Sequence, residues 1–141
     1  MLRSLTYVRR GNPVGSTNPT GVGTSVNYIG KHVYANSGAV GVTDNETTLI
    51  DTTTAANSYI LGGIQLGSIV KVSEDFDLQV KIDGETIMGI QLDNSNQEYF
   101  YGAYPIELII PPQSRLEVTL INVSSSTSRE WYAILTGEVY A

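Results

Sequence analysis

The chain has 141 residues and a formal net charge of −6 at pH 7, and this length is typical of one domain with its own hydrophobic core. It has no cysteine, which excludes disulfides and thiolate metal sites. No stretch has the roughly 18 apolar residues of a membrane span, and no signal-peptide core follows the first residues. We therefore expect a soluble protein that is made in a cytoplasm and has no membrane partner.

Charge and polarity divide the sequence near residue 36. Charged residues make up only 16% of the chain, against about 25% in an average domain, and Ser, Thr, Asn and Gly take their place. Residues 1–36 carry four basic residues and no acid, whereas residues 37–141 carry four basic residues and all 14 acids. A basic segment beside an acidic body is typical of a tether for an acidic surface.

Residues 1–36 predict an extended arm rather than a folded unit. Glycine, proline and asparagine are frequent there, and the apolar residues follow no helical period. Such a segment buries too little apolar surface to offset the entropy lost on ordering, so we expect a partner to order it. Its cations are too few, and its aromatic residues too sparse, to favour nucleic acid as that partner. The candidate contact residues of the arm are Arg3, Arg9, Arg10 and Lys31.

Residues 37–141 predict strands and no helix. Runs of apolar and β-branched residues are separated by turns rich in Asp, Asn, Gly and Pro. The predicted strands are 38–43, 47–52, 58–72, 76–82, 85–92, 104–110, 115–121 and 130–140. In the long third strand, Gly62, Gly63 and Gly67 indicate a bulge or a bend.

The clearest local pattern is a hairpin in the middle of this region. Apolar and polar residues alternate without interruption from Phe76 to Ile82, which predicts a strand with one buried and one hydrated face. Asp83-Gly84 follows, a pair typical of the two-residue type I′ turn because glycine adopts a positive φ without steric cost. We expect residues 85–92 to return antiparallel to the first strand.

Evenly spaced strands with turns between them predict a β-sandwich or barrel. Eight antiparallel strands in two sheets is the count of a jelly roll, so the expected fold is an all-β, eight-stranded antiparallel jelly-roll β-sandwich with an extended N-terminal arm. The expected division is an arm at residues 1–36 and a sandwich at residues 37–141. An immunoglobulin-like sandwich is the topology that strand spacing leaves open.

Three stretches of the sequence resemble small jelly-roll virion proteins of tailed bacteriophages. They are residues 105–122, residues 122–140, and the run from Tyr34 to Gly38 leading into residues 48–51. The resemblance extends over about residues 33–141 and is one of pattern. It implies a decoration (cement) protein or a small fibre or spike module that forms a trimer, with the major capsid protein or other virion proteins as partners. It also implies a location in the virion and no catalytic residues or cofactors.

Residue chemistry gives little support to an enzyme or a metalloprotein. His32 is the single histidine, and one isolated histidine fits neither a hydrolytic triad nor a zinc cluster. Three acidic turns, at residues 44–46, 74–77 and 93–96, place together the hard oxygen ligands that calcium prefers; none has the spacing of an EF-hand loop, and calcium is the alternative left open there. We expect ordinary turn chemistry at these positions, no catalytic residues and no metal site.

An aromatic cluster is the most interesting candidate site. It lies where the long loop after residue 93 runs into the next predicted strand, and flat aromatic rings on a jelly roll can contact a protein subunit or a sugar. Packing over the open end of the sandwich is the alternative role. The candidate subunit- or ligand-contact residues are Tyr99, Phe100, Tyr101, Tyr104 and, from the last strand, Trp131.

The sequence therefore favours a non-enzymatic structural virion protein. We expect a capsid decoration protein that binds the capsid surface through its arm and self-associates through its sandwich. The alternatives are a receptor- or glycan-binding fibre or spike module and a single jelly-roll capsid protein.

Overall fold

The computed structural model describes residues 27–29, 31–68, 74–93 and 106–140. Within these ranges the chain forms ten strands and no helix. The strands are β1 (Asn27–Ile29), β2 (His32–Asn36), β3 (Val40–Val42), β4 (Thr47–Thr53), β5 (Tyr59–Ser68), β6 (Phe76–Ile82), β7 (Glu85–Leu92), β8 (Ile106–Ile110), β9 (Arg115–Asn122) and β10 (Arg129–Tyr140). Predictions for the rest of the chain lie outside the described residues.

The strands form two antiparallel sheets. A six-stranded sheet has the order β1-β2-β10-β5-β8, with β3 also paired to β10, and a four-stranded sheet has the order β4-β9-β6-β7. From β3 to β10, every connection except the β6–β7 hairpin crosses from one sheet to the other. The all-β prediction with two antiparallel sheets is confirmed.

The two strands that the sequence did not predict lie in the predicted arm. β1 pairs with β2, and β2 pairs with β10 from Glu138↔His32 to Ile134↔Asn36. The alternation in β2 buries Val33 and Ala35 in the core. Residues 32–36 therefore belong to the sheet although they lie on the arm side of the boundary predicted after residue 36.

A break between β2 and β3 is held together by a buried serine. β3 pairs with β10 over Arg129–Trp131, next to the stretch that pairs with β2. At the break, the Ser37 amide donates to the Ala133 carbonyl at 3.0 Å, and the Ala133 amide donates to Ser37 Oγ at 2.8 Å. The side chain of Ser37 thus takes the place of one backbone partner, which satisfies an amide that would otherwise be buried and unpaired.

The β6–β7 hairpin has the predicted turn. Asp83 has φ 52° and Gly84 has φ 84°, and a type I′ turn needs a positive φ at both positions. The register slips once, between Val80 and Lys81. This bulge leaves Ile87 without a cross-strand partner and 50% exposed.

β5 is one long strand, as predicted, and of the bulge or bend predicted at its glycines the bulge is absent. Its register with β10 is continuous over ten residue pairs, from Tyr59 to Ser68. The glycines instead permit close approach between strands. A Cβ on Gly62 would lie 2.7 Å from the carbonyl oxygen of Thr136, and a Cβ on Gly67 would lie 2.5 Å from the ring of Tyr132.

The hydrophobic core lies between the two sheets and draws on both. The Trp131 and Phe76 rings meet edge to face, with centroids 5.0 Å apart and an interplanar angle of 61°, a favoured geometry for aromatic pairs. The largest fully buried side chains are Trp131, Phe76, Leu49, Ile50, Ile60, Ile64, Leu78, Leu92, Ile110, Leu116, Leu120 and Leu135. This core fixes the outward positions of each strand, and these positions carry the surface described next.

Candidate contact surface

The outward side chains of the six-stranded sheet form a surface that we call the outer face. Successive residues of a strand point to opposite sides of the sheet, so the register of the strands places the outward residues in rows. One row runs from His32 on β2 through Glu138 and Leu61 to Ile109 on β8. The next row runs from Tyr34 through Thr136 and Gly63 to Glu107.

Apolar groups occupy the centre and one end of the outer face. Leu61 is 48% exposed and Ile109, its cross-strand partner, is 61% exposed. Beside them the rings of Tyr59 and Tyr140 stack, with centroids 5.5 Å apart and an interplanar angle of 24°. Single exposed apolar side chains are ordinary, but neighbouring ones rimmed by polar groups mark sites of interaction.

A shallow depression lies next to the apolar patch. Gly62 and Gly63 line it together with Leu61, Glu107 and Thr136, and its volume is about 280 Å³. It exists because Gly63 contributes no side chain to the row between Thr136 and Glu107. The depression can therefore accept a side chain or a small polar ligand that meets both a carboxylate and a hydroxyl.

Charged side chains lie at both sides of the outer face, and those at the β2 side are paired with each other. At the β2 side, Lys31 Nζ lies 3.4 Å from Glu138 Oε1, and the Tyr140 hydroxyl donates a hydrogen bond to Glu138 Oε2. The hydrogen bond from Tyr140, then that from Lys31, lowers the pKa of Glu138, and the same bond to Glu138 raises the pKa of Tyr140. At the β8 side, Glu107 is exposed and forms no ion pair with any described residue.

The outward side of the four-stranded sheet is polar by comparison. Arg115 donates two hydrogen bonds to Asp51, at 2.8 and 2.7 Å, and Lys81 donates one to Glu46 at 2.6 Å. The bonds from Arg115 lower the pKa of Asp51, and the bond from Lys81 lowers the pKa of Glu46. A second depression of about 190 Å³ lies over Gly89 among polar side chains. Charges paired with each other in water favour a solvated face.

The structure places two of the predicted site residues. Lys31 lies at the rim of the outer face, in its ion pair with Glu138. Trp131, predicted as a contact residue, is fully buried against Phe76 and has a core role instead. Trp131 belongs to the alternate residues of β10 that face the other sheet, so its side chain packs into the core. The predicted site residues outside the described residues are Arg3, Arg9, Arg10, Tyr99, Phe100, Tyr101 and Tyr104.

Metal-ligating side chains do not converge in the part of the chain that the structure describes: no group of three or more His, Asp or Glu residues could hold a metal ion. In two of the acidic turns, Glu46 pairs with Lys81 and Glu74 pairs with Arg129. His32 is exposed on the outer face, in register with Glu138. The described residues also contain no helix long and apolar enough to cross a membrane.

Sequence reasoning missed the outer face, although the sequence contains a signal for it. The runs Tyr59-Ile60-Leu61 and Ile106–Ile110 are apolar at outward as well as inward positions. In a strand with one hydrated side, apolar and polar residues alternate. A nearly continuous run of apolar residues is typical of a strand that is covered on both sides. These runs therefore indicated that part of the sheet needs a cover.

Comparisons with known proteins give no family. No family model matches the chain, and no curated protein matches it in sequence. One similar solved structure is the EclA C-terminal domain, a sugar-binding protein, with 16% sequence identity and a TM-score of 0.37. The similarity covers 72% of this chain and 75% of that one. At this TM-score the likeness carries no weight for fold or function.

Proposed function

We propose that the chain is a non-enzymatic structural protein of a virion, a decoration (cement) protein with a jelly-roll body. The strand orders β3-β10-β5-β8 and β4-β9-β6-β7 support the jelly roll, because six sheet-to-sheet crossings around one hairpin match the two facing four-stranded layers of that fold. In this proposal the sandwich binds other copies of the chain and the arm binds the capsid surface. The resemblance of residues 33–141 to phage virion proteins supports the same assignment.

The observation that carries the proposal is the contrast between the two outward sheet surfaces. The outer face exposes Leu61 and Ile109 next to each other, whereas on the opposite surface Asp51 pairs with Arg115 and Glu46 pairs with Lys81. A monomer that acted alone in water would gain nothing from an apolar patch on one side only. A protein that works by contact with other protein surfaces needs such a patch.

The arm provides the second contact in this proposal. Residues 1–26 carry three arginines and no acid, and the chain enters the six-stranded sheet at its edge strand, β1. An extended arm adds backbone hydrogen bonds by strand addition, and its arginines steer it to an acidic capsid surface. Many copies on one shell then add avidity that a single arm lacks.

The test is attachment to shells of the virus that encodes the chain. The full chain should co-sediment with shells and appear as regular surface density by electron microscopy. A chain that begins at residue 27 should keep its fold and lose attachment. The double variant Arg9→Gln/Arg10→Gln should bind the shells weakly, and its binding should weaken further as the salt concentration rises. The control Lys81→Gln, which removes a cation from the body, should bind normally. Full occupancy by the shortened chain would remove the arm from the proposal.

Glycan binding by a fibre or spike module is the second candidate, and the depression over Gly63 favours it. Glu107 and Thr136 offer a carboxylate and a hydroxyl above a glycine floor, and sugar sites combine a few polar groups with an apolar wall. A glycan array probed with the full chain tests this candidate. Specific signals that disappear in Glu107→Gln would favour it, and a blank array would remove it.

A further inference from the structure

Gly89 on β7 is a glycine that neither its conformation nor its neighbours require. Gly84 adopts a positive φ, and a Cβ on Gly137 would lie 2.5 Å from a backbone oxygen of the neighbouring strand. Gly89 has no positive φ, it pairs in register with Gln79, and a Cβ there would have its nearest neighbour, the Leu78 oxygen, at 4.0 Å. Glycine weakens the interior of a strand, and one without a structural reason often marks the approach of a ligand.

The depression over Gly89 has the size of a site for a small ligand. Its volume is about 190 Å³, whereas pockets for drug-sized ligands have about 300–1,000 Å³. Leu78 and Ile90 pack toward the core, so they contribute to the floor, and the alternate, outward side chains form the walls. The residues that line the depression are Asp77, Leu78, Gln79, Gly89, Ile90 and Gln91.

Asp77 is a half-buried carboxylate in this depression. It forms no ion pair and no side-chain hydrogen bond with any residue that the structure describes. On the same side of the sheet, Asp51 and Glu46 are each paired with a cation. Partial burial removes hydration from Asp77 that no described side chain replaces, so a ligand that donates hydrogen bonds would restore it.

The lining defines the chemistry of the ligand. A carboxylate such as Asp77 only accepts hydrogen bonds, whereas the carboxamide of Gln79 both donates and accepts them. The Gln79 oxygen accepts a long bond from Thr86 at 3.5 Å, and the Gln79 nitrogen donates to no described residue. The described residues that line the depression include no lysine or arginine, which disfavours an anion, and one carboxylate is too few for a calcium ion. A neutral ligand with several hydroxyl groups fits these partners.

The edge of the sheet favours such a ligand over an added strand. β7 is the outermost strand of the four-stranded sheet, and a free edge can pair with another strand. The register slip between Val80 and Lys81 places a bulge in this edge, and bulges hinder such pairing. The bulge also leaves Ile87 50% exposed, two residues from Gly89, which adds an apolar surface to the polar groups.

We propose that the depression over Gly89 binds a neutral sugar, whose hydroxyl groups donate to Asp77 and accept from Gln79. Polar groups beside an apolar surface are the combination that small-molecule sites use to fix orientation. The site lies on the four-stranded sheet, whereas the depression over Gly63 lies on the outer face. It is therefore independent of the contacts in the proposed function.

The experiment records the backbone amide NMR spectrum of the full chain during separate titrations with glucose, galactose, mannose and N-acetylglucosamine. At least one of these sugars should shift the amide signals of β6 and β7 around Gly89, and the shifts should saturate. The amide signals of β5 and β8 should not change. Four titrations without a saturable shift in β6 and β7 would overturn the inference.

Three variants locate the sugar. Gly89→Ala adds a methyl group to the floor of the depression without a clash in the protein, so the chain should stay folded while the affinity falls at least about tenfold. Asp77→Asn should lower the affinity by a similar factor, because it removes a hydrogen bond to a charged group. The matched control is Glu107→Gln, which removes a carboxylate from the depression over Gly63 and should bind the sugar normally.

The contrary results separate this inference from the proposed function. Shifts that survive Gly89→Ala, or that lie in β5 and β8 and disappear in Glu107→Gln, would place the sugar elsewhere and overturn the site. Broadening of the β7 signals that grows with protein concentration and not with sugar would indicate an added strand instead. Attachment to shells should be the same in Gly89→Ala and the wild type, so a failure of the sugar site leaves the decoration role intact.

Discussion

At the scale of single residues, two glycines face each other where β5 and β10 approach closely. Gly137 on β10 lies opposite Gly62 on β5, and a Cβ on Gly137 would meet the Leu61 oxygen at 2.5 Å and the Gly62 Cα at 2.6 Å. Both obstacles are backbone atoms, which cannot rotate away as a side chain can. The two longest strands would therefore have to separate locally to accept any larger residue.

Gly137→Ala should consequently destabilise the protein by about 1–3 kcal/mol, the usual cost of overpacking. Gly89→Ala is the matched control, because the Cβ it adds would have its nearest neighbour, the Leu78 oxygen, at 4.0 Å. Alanine there should be neutral or stabilise by up to about 1 kcal/mol, since glycine loses more backbone entropy on folding. Urea unfolding of both variants measures the difference. Equal stabilities would show that the strands at Gly137 are free to adjust.

At the scale of elements, one arginine connects neighbouring segments at one end of the four-stranded sheet. Arg115 on β9 holds Asp51 on β4 with two side-chain bonds, and its backbone exchanges hydrogen bonds with Asp83 in the β6–β7 turn, at 2.8 and 2.9 Å. The side chains of Asp51 and Arg115 are 37% and 54% exposed. Solvent therefore screens the pair, and its contribution to stability is small.

The direction of the Asp51 pKa shift sets how this contribution varies with pH. Arg115 lowers the pKa of Asp51 in the folded protein, so the stabilisation is present above the unfolded pKa of about 3.9 and is lost as pH falls through the folded pKa. Asp51→Asn should be less stable than the wild type at about pH 6, and the gap should narrow as the pH falls below about 3.9. Thermal unfolding at about pH 6 and at a series of lower pH values measures the gap. The control is Asp44→Asn, in an exposed turn without an ion pair among the described residues, which should be as stable as the wild type at about pH 6.

Elements defined by local chemistry could be predicted from the sequence. The β6–β7 hairpin follows from alternation and an Asp-Gly pair, and proline ends β8, because each depends on residues adjacent in the chain. β2 was missed because its burial depends on pairing with β10, about a hundred residues away. The bulge predicted as one alternative at the glycines of β5 was wrong for the same reason, since these glycines allow the neighbouring strand to approach closely.

The candidate site was harder to predict than the fold. The contact residues were predicted because they are aromatic. Residue type alone does not give the direction of a side chain, and Trp131 packs inward. In each strand, one of two alternating sets of residues faces the partner sheet and the other set forms the outer face. Because β5 and β8 contain apolar residues in both sets, the sequence does not show which set points outward. Only the register between strands places Leu61 beside Ile109 and leaves Gly63 as a hollow.

At the scale of the whole molecule, the position at which the folded body begins is defined by burial and not by charge. Val33 and Ala35 are 2% and 0% exposed, and Ser37 exchanges two hydrogen bonds with Ala133. These residues cover one edge of β10 and contribute to the core between the sheets. The described core residues begin at Val33, so a chain that begins at residue 27 keeps all of them.

Two shortened chains should therefore differ sharply. The chain of residues 27–141 should unfold at the same urea concentration as the full chain, whereas that of residues 38–141 should lose more than about 3 kcal/mol, from one buried valine and two buried hydrogen bonds. It should also bind a dye for exposed apolar surface, because the loss of β2 uncovers β10. A chain of residues 38–141 as stable as the full one would mean that β2 only lies on the sheet, and the body would then begin where the charge pattern changes. Loss of stability on removal of residues 1–26 alone would instead show that the arm is part of the folded body.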